Sequence, residues 1–270
     1  MDSSSRPIDS LLTLMTRLRD PVAGCPWDRD QDWASIAPYT IEEAYEVADA
    51  IARNDPAAVR EELGDLLFQV VFQARIAEEA GLFDFETVAA TVTNKMIRRH
   101  PHLFPPDDAE AGTPGWEELK AQERAATGGA GVLDGIAQAL PPLTRAIKLQ
   151  QRAARVGFDW DDPRAILAKL AEEADEVVAE LETGADPERV EDEIGDLLFV
   201  CVNLARKLAV DPDRALAGAN AKFERRFRYI ESALTAEGRD PAAASLDEME
   251  ALWQAAKRLE PKKGGGVRGG

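Results

Sequence analysis

The chain contains an internal repeat of two carboxylate pairs, and in both copies the second pair ends inside the same five residues, GDLLF. The first copy reads IEEAYEVADAIARNDPAAVREELGDLLF over residues 41–68. The second reads AEEADEVVAELETGADPERVEDEIGDLLF over residues 171–199. The acids are Glu43, Glu46, Glu62 and Asp65 in the first copy, and Glu173, Glu176, Glu193 and Asp196 in the second. Because order and spacing recur, we expect two copies of one domain.

The spacing within each pair predicts a metal site on neighbouring helices. The two acids of a pair are three residues apart and therefore project from one helix face. Like charges at that spacing repel by roughly 0.2–0.5 kcal/mol, and a divalent cation reverses the sign because hard cations take carboxylate oxygens as ligands. Two such pairs suit Mg²⁺, with Mn²⁺ as a possible substitute. Glu43 and Glu173 are 130 positions apart but Glu62 and Glu193 are 131 apart, which predicts one extra residue in the intervening turn.

Apolar residues recur at helical spacing along the chain, and no stretch alternates as a strand does. We therefore predict an all-α protein made of two tandem helical-bundle domains of the four-helix-bundle type. The predicted boundaries are residues 1–125 for the first domain, 126–135 for a linker, 136–260 for the second domain and 261–270 for a disordered tail. The predicted helices are Ile8–Arg19, one capped by Thr40, Ala57–Ala80, one from Asp84 to His100, Pro142–Arg155, Ile166–Glu182, Pro187–Leu208, Pro212–Leu234 and Glu248–Leu259.

Three local expectations accompany this pattern. Pro21–Trp27 is predicted to be a loop. Leu63, Leu66, Leu67, Val70 and Val71 are predicted to face the interior. Gly64 and Gly195 lie inside helices, where glycine costs about 1 kcal/mol relative to alanine, so we expect a neighbouring helix or a ligand to approach closely there.

The net charge limits the classes of partner. There are 32 Lys and Arg against 50 Asp and Glu, a net charge of −18. This argues against nucleic acid or an anionic membrane, which need a basic surface, but a metal and local cations allow a nucleotide substrate. Cys25 and Cys201 form no paired motif, and neither a signal peptide nor a spanning apolar run is visible, so we expect a cytoplasmic protein.

Basic residues follow each acidic repeat and predict a phosphate site. They are Lys95, Arg98 and Arg99 in the first half, and Lys222, Arg225 and Arg226 in the second. The alternative is ordinary salt bridging within the helix, for example Glu224 with Arg228. A Trp stands one helical turn before a Lys in both halves, as Trp116/Lys120 and Trp253/Lys257. The Trp could stack on a nucleotide base while the Lys contacts a phosphate. The alternative is that a Trp on a terminal helix packs that helix against the rest of the domain, which is the more frequent case.

Other chemistries fit poorly. Ferritin-type di-iron sites use Glu-x-x-His ligands, and neither His100 nor His102 follows a Glu at that spacing. No GxxxxGK[ST] phosphate loop occurs, and two histidines and two cysteines in unsuitable contexts support no nucleophilic triad.

The pattern Glu172-Glu173-x-x-Glu176…Glu193-x-x-Asp196 resembles that of the MazG nucleoside triphosphate pyrophosphohydrolases. The opening LLTLMTRLRDPVAGCPWD and the runs HPHLF and NAKFERRF are similar to the same family, over roughly residues 8–260. The resemblance implies a homodimer of tandem all-α domains and Mg²⁺-dependent hydrolysis of nucleoside triphosphates to monophosphate and pyrophosphate. It implies that Glu173, Glu176, Glu193 and Asp196 hold Mg²⁺. It implies nucleotide contacts from Lys169, Lys222, Arg226, Trp253 and Lys257, and we add the adjacent Arg225.

Three questions stay open at this level. The family pattern points to the second half as the active one, and Lys169 there is matched by Tyr39 in the first half. We therefore expect the first half to be structural, dimerising or weakly active. The residues of its candidate site are Glu43, Glu46, Glu62, Asp65, Lys95 and Arg99. The general base is Glu172 or a metal-ligating Glu. The alternatives to a general activity are a narrower substrate such as dUTP, dCTP or phosphoribosyl-ATP, or a nucleotide-binding module without turnover.

Overall fold

The fold is all-α, as the periodicity predicts. A computed structural model describes residues 6–105, 131–184 and 186–260, which contain ten α-helices, one 3-10 turn and no strand. The chain divides into two compact units, Met1–Gln122 and Glu123–Gly270. The boundaries at 125/126 and 135/136 stay predictions. Trp116, Lys120, residues 126–130 of the linker and the tail from 261 lie outside the described residues.

The first unit is organised around a helical hairpin. Its helices are α1 (Pro7–Leu18), α2 (Pro26–Asp30), α3 (Trp33–Ala52), α4 (Pro56–Glu79) and α5 (Phe85–Arg99). Helices α3 and α4 pack along each other, and α1 and α5 pack against α4. Met15, Ile36, Val71 and Phe72 form the buried core at 0–1% exposure. This arrangement places the acid-bearing parts of α3 and α4 side by side.

The second unit repeats the hairpin. Its helices are α6 (Pro142–Ala154), α7 (Pro163–Thr183), α8 (Pro187–Lys207), α9 (Pro212–Ala236) and α10 (Leu246–Leu259), with a 3-10 turn at Pro241–Ala243. Helices α7 and α8 pack along each other, α6 contacts α8 and α9, and α10 packs on α9. Gln150 ties α6 to α8 by donating a 2.8 Å hydrogen bond to the carbonyl of Phe199.

The turn between the two hairpin helices contains the extra residue that the sequence predicts. The turn has a left-handed residue in both units, Asn54 at φ 55° and Gly184 at φ 65°, and these are 130 positions apart. The prolines that begin the next helices, Pro56 and Pro187, are 131 positions apart. The insertion therefore lies between the left-handed residue and the following helix. The two acid pairs of each unit still come together in the same way.

Two local predictions at the start of the first hairpin are wrong. Helix α3 begins at Trp33 instead of after Thr40, because Asp32 and Ser35 form a reciprocal capping box and the helix continues through Pro38. Burial of Ile36 favours this longer helix despite the hydrogen bond that a proline removes. Thr40 instead accepts a 2.6 Å hydrogen bond from Gln73 of α4. The predicted loop ends early, since Pro26–Asp30 forms α2.

The prediction of an interior face on α4 is wrong for most of its members. Val71 is 1% exposed, but Leu63 is 50%, Leu67 40% and Val70 37% exposed. A Cβ added at Gly64 or Gly195 would meet no atom within 4 Å, so none of the described helices packs closely on either glycine. Helical periodicity identifies an apolar face but not what covers it. Among the described residues, no helix has both the length and the apolar character needed to cross a bilayer.

Candidate active site

Three carboxylates converge where α7 and α8 pack together. Glu173 projects from α7, and Glu193 and Asp196 project from α8 three residues apart. One oxygen from each carboxylate lies within 4.8 Å of the other two. Glu173 is buried, with 4% of its surface exposed, and Asp196 is exposed. The hairpin therefore presents a set of oxygen donors that opens to solvent on one side.

A lysine neutralises part of this cluster from within the same helix. The Lys169 ammonium lies 2.7 Å from Glu173 and donates a 2.9 Å hydrogen bond to Glu172. The hydrogen bond from Lys169 holds the pKa of Glu173 below its usual range. Glu176 lies next to Glu173, and the hydrogen bond between their carboxyl groups raises the pKa of Glu176. The carboxylate cluster of the second unit thus contains its own counter-ion, Lys169, for its most buried acid, Glu173.

The first unit contains the same convergence without the lysine. Glu43 of α3 and Glu62 and Asp65 of α4 place three oxygens within 4.8 Å of one another. The position that corresponds to Lys169 is Tyr39, whose ring packs 5.9 Å from that of Trp27. Burial raises the pKa of both Glu43 and Glu62, and neighbouring Asp65 and Glu46 raise that of Glu43 further.

Both clusters suit a hard divalent cation. The donors are all carboxylate oxygens, which Mg²⁺ and similar ions take as ligands. In the first unit the Oε2 atom of Glu43 is buried and has no hydrogen-bond partner among the described residues. A buried acceptor without a partner is costly, and a bound cation would satisfy it. Glu46 and Glu176 lie beside the converging oxygens as additional carboxylates.

The second unit gathers its basic and aromatic residues on α9 and α10. Arg226 of α9 pairs with Glu260 at 2.7 Å, and its guanidinium carbon lies 5.1 Å from the centroid of Trp253 on α10. Arg225 approaches the same carboxylate at 3.4 Å. The hydrogen bond from Arg226 lowers the pKa of Glu260. Lys222 and Lys257 are exposed.

The structure brings the predicted site residues of the second unit together in two groups. One contains Lys169 and the acids of α7 and α8, and the other contains Arg225, Arg226 and Trp253. Within the part of the chain that the structure describes, no hydrogen bond or ion pair joins the two groups. In the first unit Lys95 and Arg99 lie on the last two turns of α5, which ends at Arg99, one residue before the predicted end at His100.

Sequence reasoning missed two residues of the second group. Glu260 is the carboxylate partner of Arg226, and Phe223 lies 5.3 Å from the Trp253 ring. The available signal for Glu260 is its spacing: it stands seven residues after Trp253, and Glu123 stands seven after Trp116.

Comparison with known proteins identifies this arrangement. The family model of the MazG nucleotide pyrophosphohydrolase domain matches the chain twice, over residues 31–104 and 161–230. The chain belongs to the MazG family. The two matched segments contain both carboxylate clusters and both basic clusters on α5 and α9, whereas Trp253, Lys257 and Glu260 lie beyond them. The resemblance stated from the sequence is confirmed.

Named MazG relatives match nearly the whole chain. An Escherichia coli nucleoside triphosphate pyrophosphohydrolase is 50% identical over 257 residues, covering 94% of this chain and 98% of that protein. A nucleoside triphosphate pyrophosphohydrolase/pyrophosphatase MazG of Thermotoga maritima is 41% identical, covering 92% of this chain and 95% of that protein. A Mycobacterium tuberculosis nucleoside triphosphate pyrophosphohydrolase is 38% identical over 57% of this chain and 46% of that protein.

Proposed function

We propose that this MazG protein hydrolyses nucleoside triphosphates to the monophosphate and pyrophosphate, that it uses Mg²⁺, and that it does so in its second half. The pyrophosphohydrolase activity follows from family membership and from relatives of that name matched over nearly their full length. The observation that carries the assignment to the second half is the Lys169–Glu173 contact beside three converging carboxylates. A cytoplasmic location and a role in maintaining the nucleotide pool are part of the proposal.

Glu173, Glu193 and Asp196 would hold the metal, with Glu176 adjacent. Mg²⁺ bound there supplies charge neutralisation for the phosphates and a water of lowered pKa. The proton acceptor is Glu172, which is exposed at the edge of the cluster and oriented by Lys169, or one of the metal-ligating glutamates. Attack of water on the α-phosphorus breaks its bond to the bridging oxygen, and pyrophosphate leaves.

The triphosphate needs cations that are not already committed to carboxylates. Lys222 and Lys257 are exposed, and we assign them to the phosphates, with Lys169 beside the metal. Trp253 presents an aromatic face for the base. Arg225 and Arg226 belong to the same basic group, but both pair with the Glu260 carboxylate, so we assign the phosphates to the two lysines.

The first half differs from the second in two ways that weaken its ability to bind a polyanion such as a triphosphate. Tyr39 replaces Lys169, and α5 ends at Arg99, one position before the residue that corresponds to Phe227. Its carboxylates still converge on one point. We therefore propose that the first half binds a cation and acts mainly in structure and dimerisation.

The apolar surface of the hairpins supports a homodimer. Ile194 and Leu198 of α8 are 44% and 53% exposed, and Val178 and Leu181 of α7 are 50% and 64% exposed. Leu63 and Leu67 give α4 a similar surface. Contiguous apolar surface of this kind marks protein interfaces. A second copy of the same chain would cover it, because every copy presents the same face.

The test separates pyrophosphate from orthophosphate release across a panel of nucleoside triphosphates, with Mg²⁺ or EDTA. The chains compared are wild type, Glu193→Ala and the matched Glu62→Ala. We expect Mg²⁺-dependent pyrophosphate release that Glu193→Ala abolishes and Glu62→Ala largely retains. Orthophosphate as the first product would contradict the reaction, and loss in both variants would contradict the assignment to one half. Release from dUTP, dCTP or phosphoribosyl-ATP alone would narrow the substrate, and nucleotide binding without turnover would make the protein a binding module.

A further inference from the structure

Arg226 is held by two residues, Trp253 of α10 and Glu260, which follows that helix. Its Nη2 and Nε atoms donate hydrogen bonds of 2.7 and 3.2 Å to the two carboxylate oxygens of Glu260. The guanidinium lies over the Trp253 ring, with 5.1 Å from Cζ to the ring centroid. Only 12% of the Arg226 side chain is exposed. Its position is therefore determined mainly by α10.

The chemistry of α10 does not by itself explain a glutamate at position 260. Glu260 is the C-cap residue of α10, and the helix dipole disfavours an anion at a helix C-terminus. Lys257 and Arg258 in the last turn are the residue types that the dipole favours there. The ion pair with Arg226 supplies the stabilisation that the local helix does not.

The same residues recur at the same spacing in the first half. Trp253, Lys257 and Glu260 follow the pattern Trp-x3-Lys-x2-Glu, and so do Trp116, Lys120 and Glu123. A separation of seven residues is about two helical turns, which places the Trp and the Glu on one face of a helix. The recurrence links Glu260 to the Trp and Lys that the proposed function assigns to the nucleotide.

We infer that Glu260 is a positioning residue for nucleotide binding, which holds Arg226 against Trp253 and so fixes the indole ring in place for the base. This inference rests on the proposed function, in which Trp253 is a nucleotide contact. A bidentate carboxylate fixes the plane of a guanidinium as well as its position. The largely buried guanidinium, which lies over the Trp253 ring, in turn restricts the rotation of that ring.

The contrary interpretation is that Glu260 stands in for a phosphate and that the nucleotide displaces it from Arg226. The burial of Arg226 disfavours this, because only 12% of its side chain is exposed to an incoming phosphate. Lys222 and Lys257 offer exposed cations nearby in sequence without that cost. The two interpretations predict opposite changes in KM when the charge of Glu260 is removed.

The test uses Glu260→Gln in the full chain, with Glu248→Gln as the matched control. Glu248 also makes an ion pair, with Arg239, and it lies in the first turn of α10, roughly 18 Å from Glu260 at 1.5 Å per residue. Both changes remove one carboxylate charge from α10. Only Glu260 contacts the arginine that stacks on Trp253.

Two readouts are compared in both variants. The first is quenching of Trp253 fluorescence by acrylamide, obtained by subtracting the signal of the same chain carrying Trp253→Phe. The second is kcat and KM for ATP with Mg²⁺. We expect Glu260→Gln to make Trp253 more accessible to acrylamide and to raise KM about threefold to tenfold with little change in kcat, within the range of a partly desolvated cation–π contact. We expect Glu248→Gln to change neither.

Several results would overturn the inference. They are a lower KM in Glu260→Gln, equal changes in both variants, or unchanged Trp253 accessibility in Glu260→Gln. In a Trp253→Ala background, Glu260→Gln should add nothing further to KM, because its effect passes through Trp253. If Trp253→Ala itself leaves KM unchanged, the nucleotide contact assigned in the proposed function is wrong, and that failure is distinct from a failure of Glu260 to position the ring.

Discussion

The ammonium group of Lys169 lies 2.7 Å from the carboxylate of Glu173, one helical turn away on α7. Glu173 is the most buried of the three converging acids in its unit, at 4% exposure. In the first unit the corresponding contact is absent by sequence, because Tyr39 replaces the lysine. Two clusters of one geometry thus differ in whether they carry their own counter-ion.

The first prediction removes that counter-ion. Lys169→Met leaves the carboxylates of α7 and α8 to repel one another, and we expect it to lower the free energy of unfolding in EDTA by about 1 kcal/mol. Added Mg²⁺ should stabilise the variant more than the wild type, because the cation takes over the role of the ammonium group. Thermal unfolding with EDTA and with Mg²⁺ measures both effects. Lys148→Met, at an exposed lysine on α6, is the control. Equal Mg²⁺-induced shifts in Lys169→Met and wild type would contradict the prediction.

The second prediction concerns the apolar surface of α8. Leu198→Asp places a charge at a leucine that is 53% exposed in the single chain, and we expect it to shift the protein from dimer to monomer. Light scattering after size-exclusion chromatography measures the mass. Leu246→Asp makes the same change at a leucine that is 78% exposed at the start of α10, where an acid suits the helix dipole. A monomeric wild type, or a variant that stays dimeric, would exclude this face as the interface.

The third prediction is a pH dependence of stability. The hydrogen bond from Arg206 lowers the pKa of Asp159, and Lys207 contributes a further contact at 3.1 Å. Because the folded pKa lies below the unfolded value of about 3.9, the stabilisation is complete above that pH and is lost as pH falls through the folded pKa. We expect Asp159→Asn to cost about 1 to 2 kcal/mol at pH 7 and progressively less below pH of about 4.

Urea unfolding of Asp159→Asn and wild type across that pH range measures the difference. Asp161→Asn is the control, since this nearby aspartate is exposed. A cost that stays constant from pH 7 to pH 3 would show that the loss does not come from the ionised carboxylate.

The fourth prediction concerns where α3 begins. The Asp32 side chain accepts a 2.8 Å hydrogen bond from the backbone N–H of Ser35. We expect Asp32→Ala to lower the free energy of unfolding by about 1 kcal/mol, the usual cost of removing an N-cap. Denaturant unfolding measures it, with Asp30→Ala at the exposed end of α2 as the control. If the two variants were equally stable, the capping box would not be what starts the helix.

The sequence was sufficient to predict most helices because their signals are local. Asp55, Asp84 and Asp211 cap the helices that follow them, as their positions before a proline or an apolar run suggest. Local signals were insufficient at α3, where the hydroxyl of Thr40 contacts Gln73 of another helix instead of capping its own. The prediction was wrong because Thr40 looks like a helix cap in the sequence, whereas its side chain makes a contact with a neighbouring helix.

The helical class, the repeat and the residues of both acid clusters could be predicted from the sequence, because spacings of three and four residues encode a helix face. Which faces meet depends on the tertiary structure. It brought Glu173 to Glu193 and Asp196 across the hairpin, and it paired Arg226 with Glu260, 34 positions later. It also left Leu63 and Leu67 uncovered within one chain. The physical reason is that periodicity records how residues lie on one helix, whereas partners on other helices depend on packing between segments far apart in the sequence.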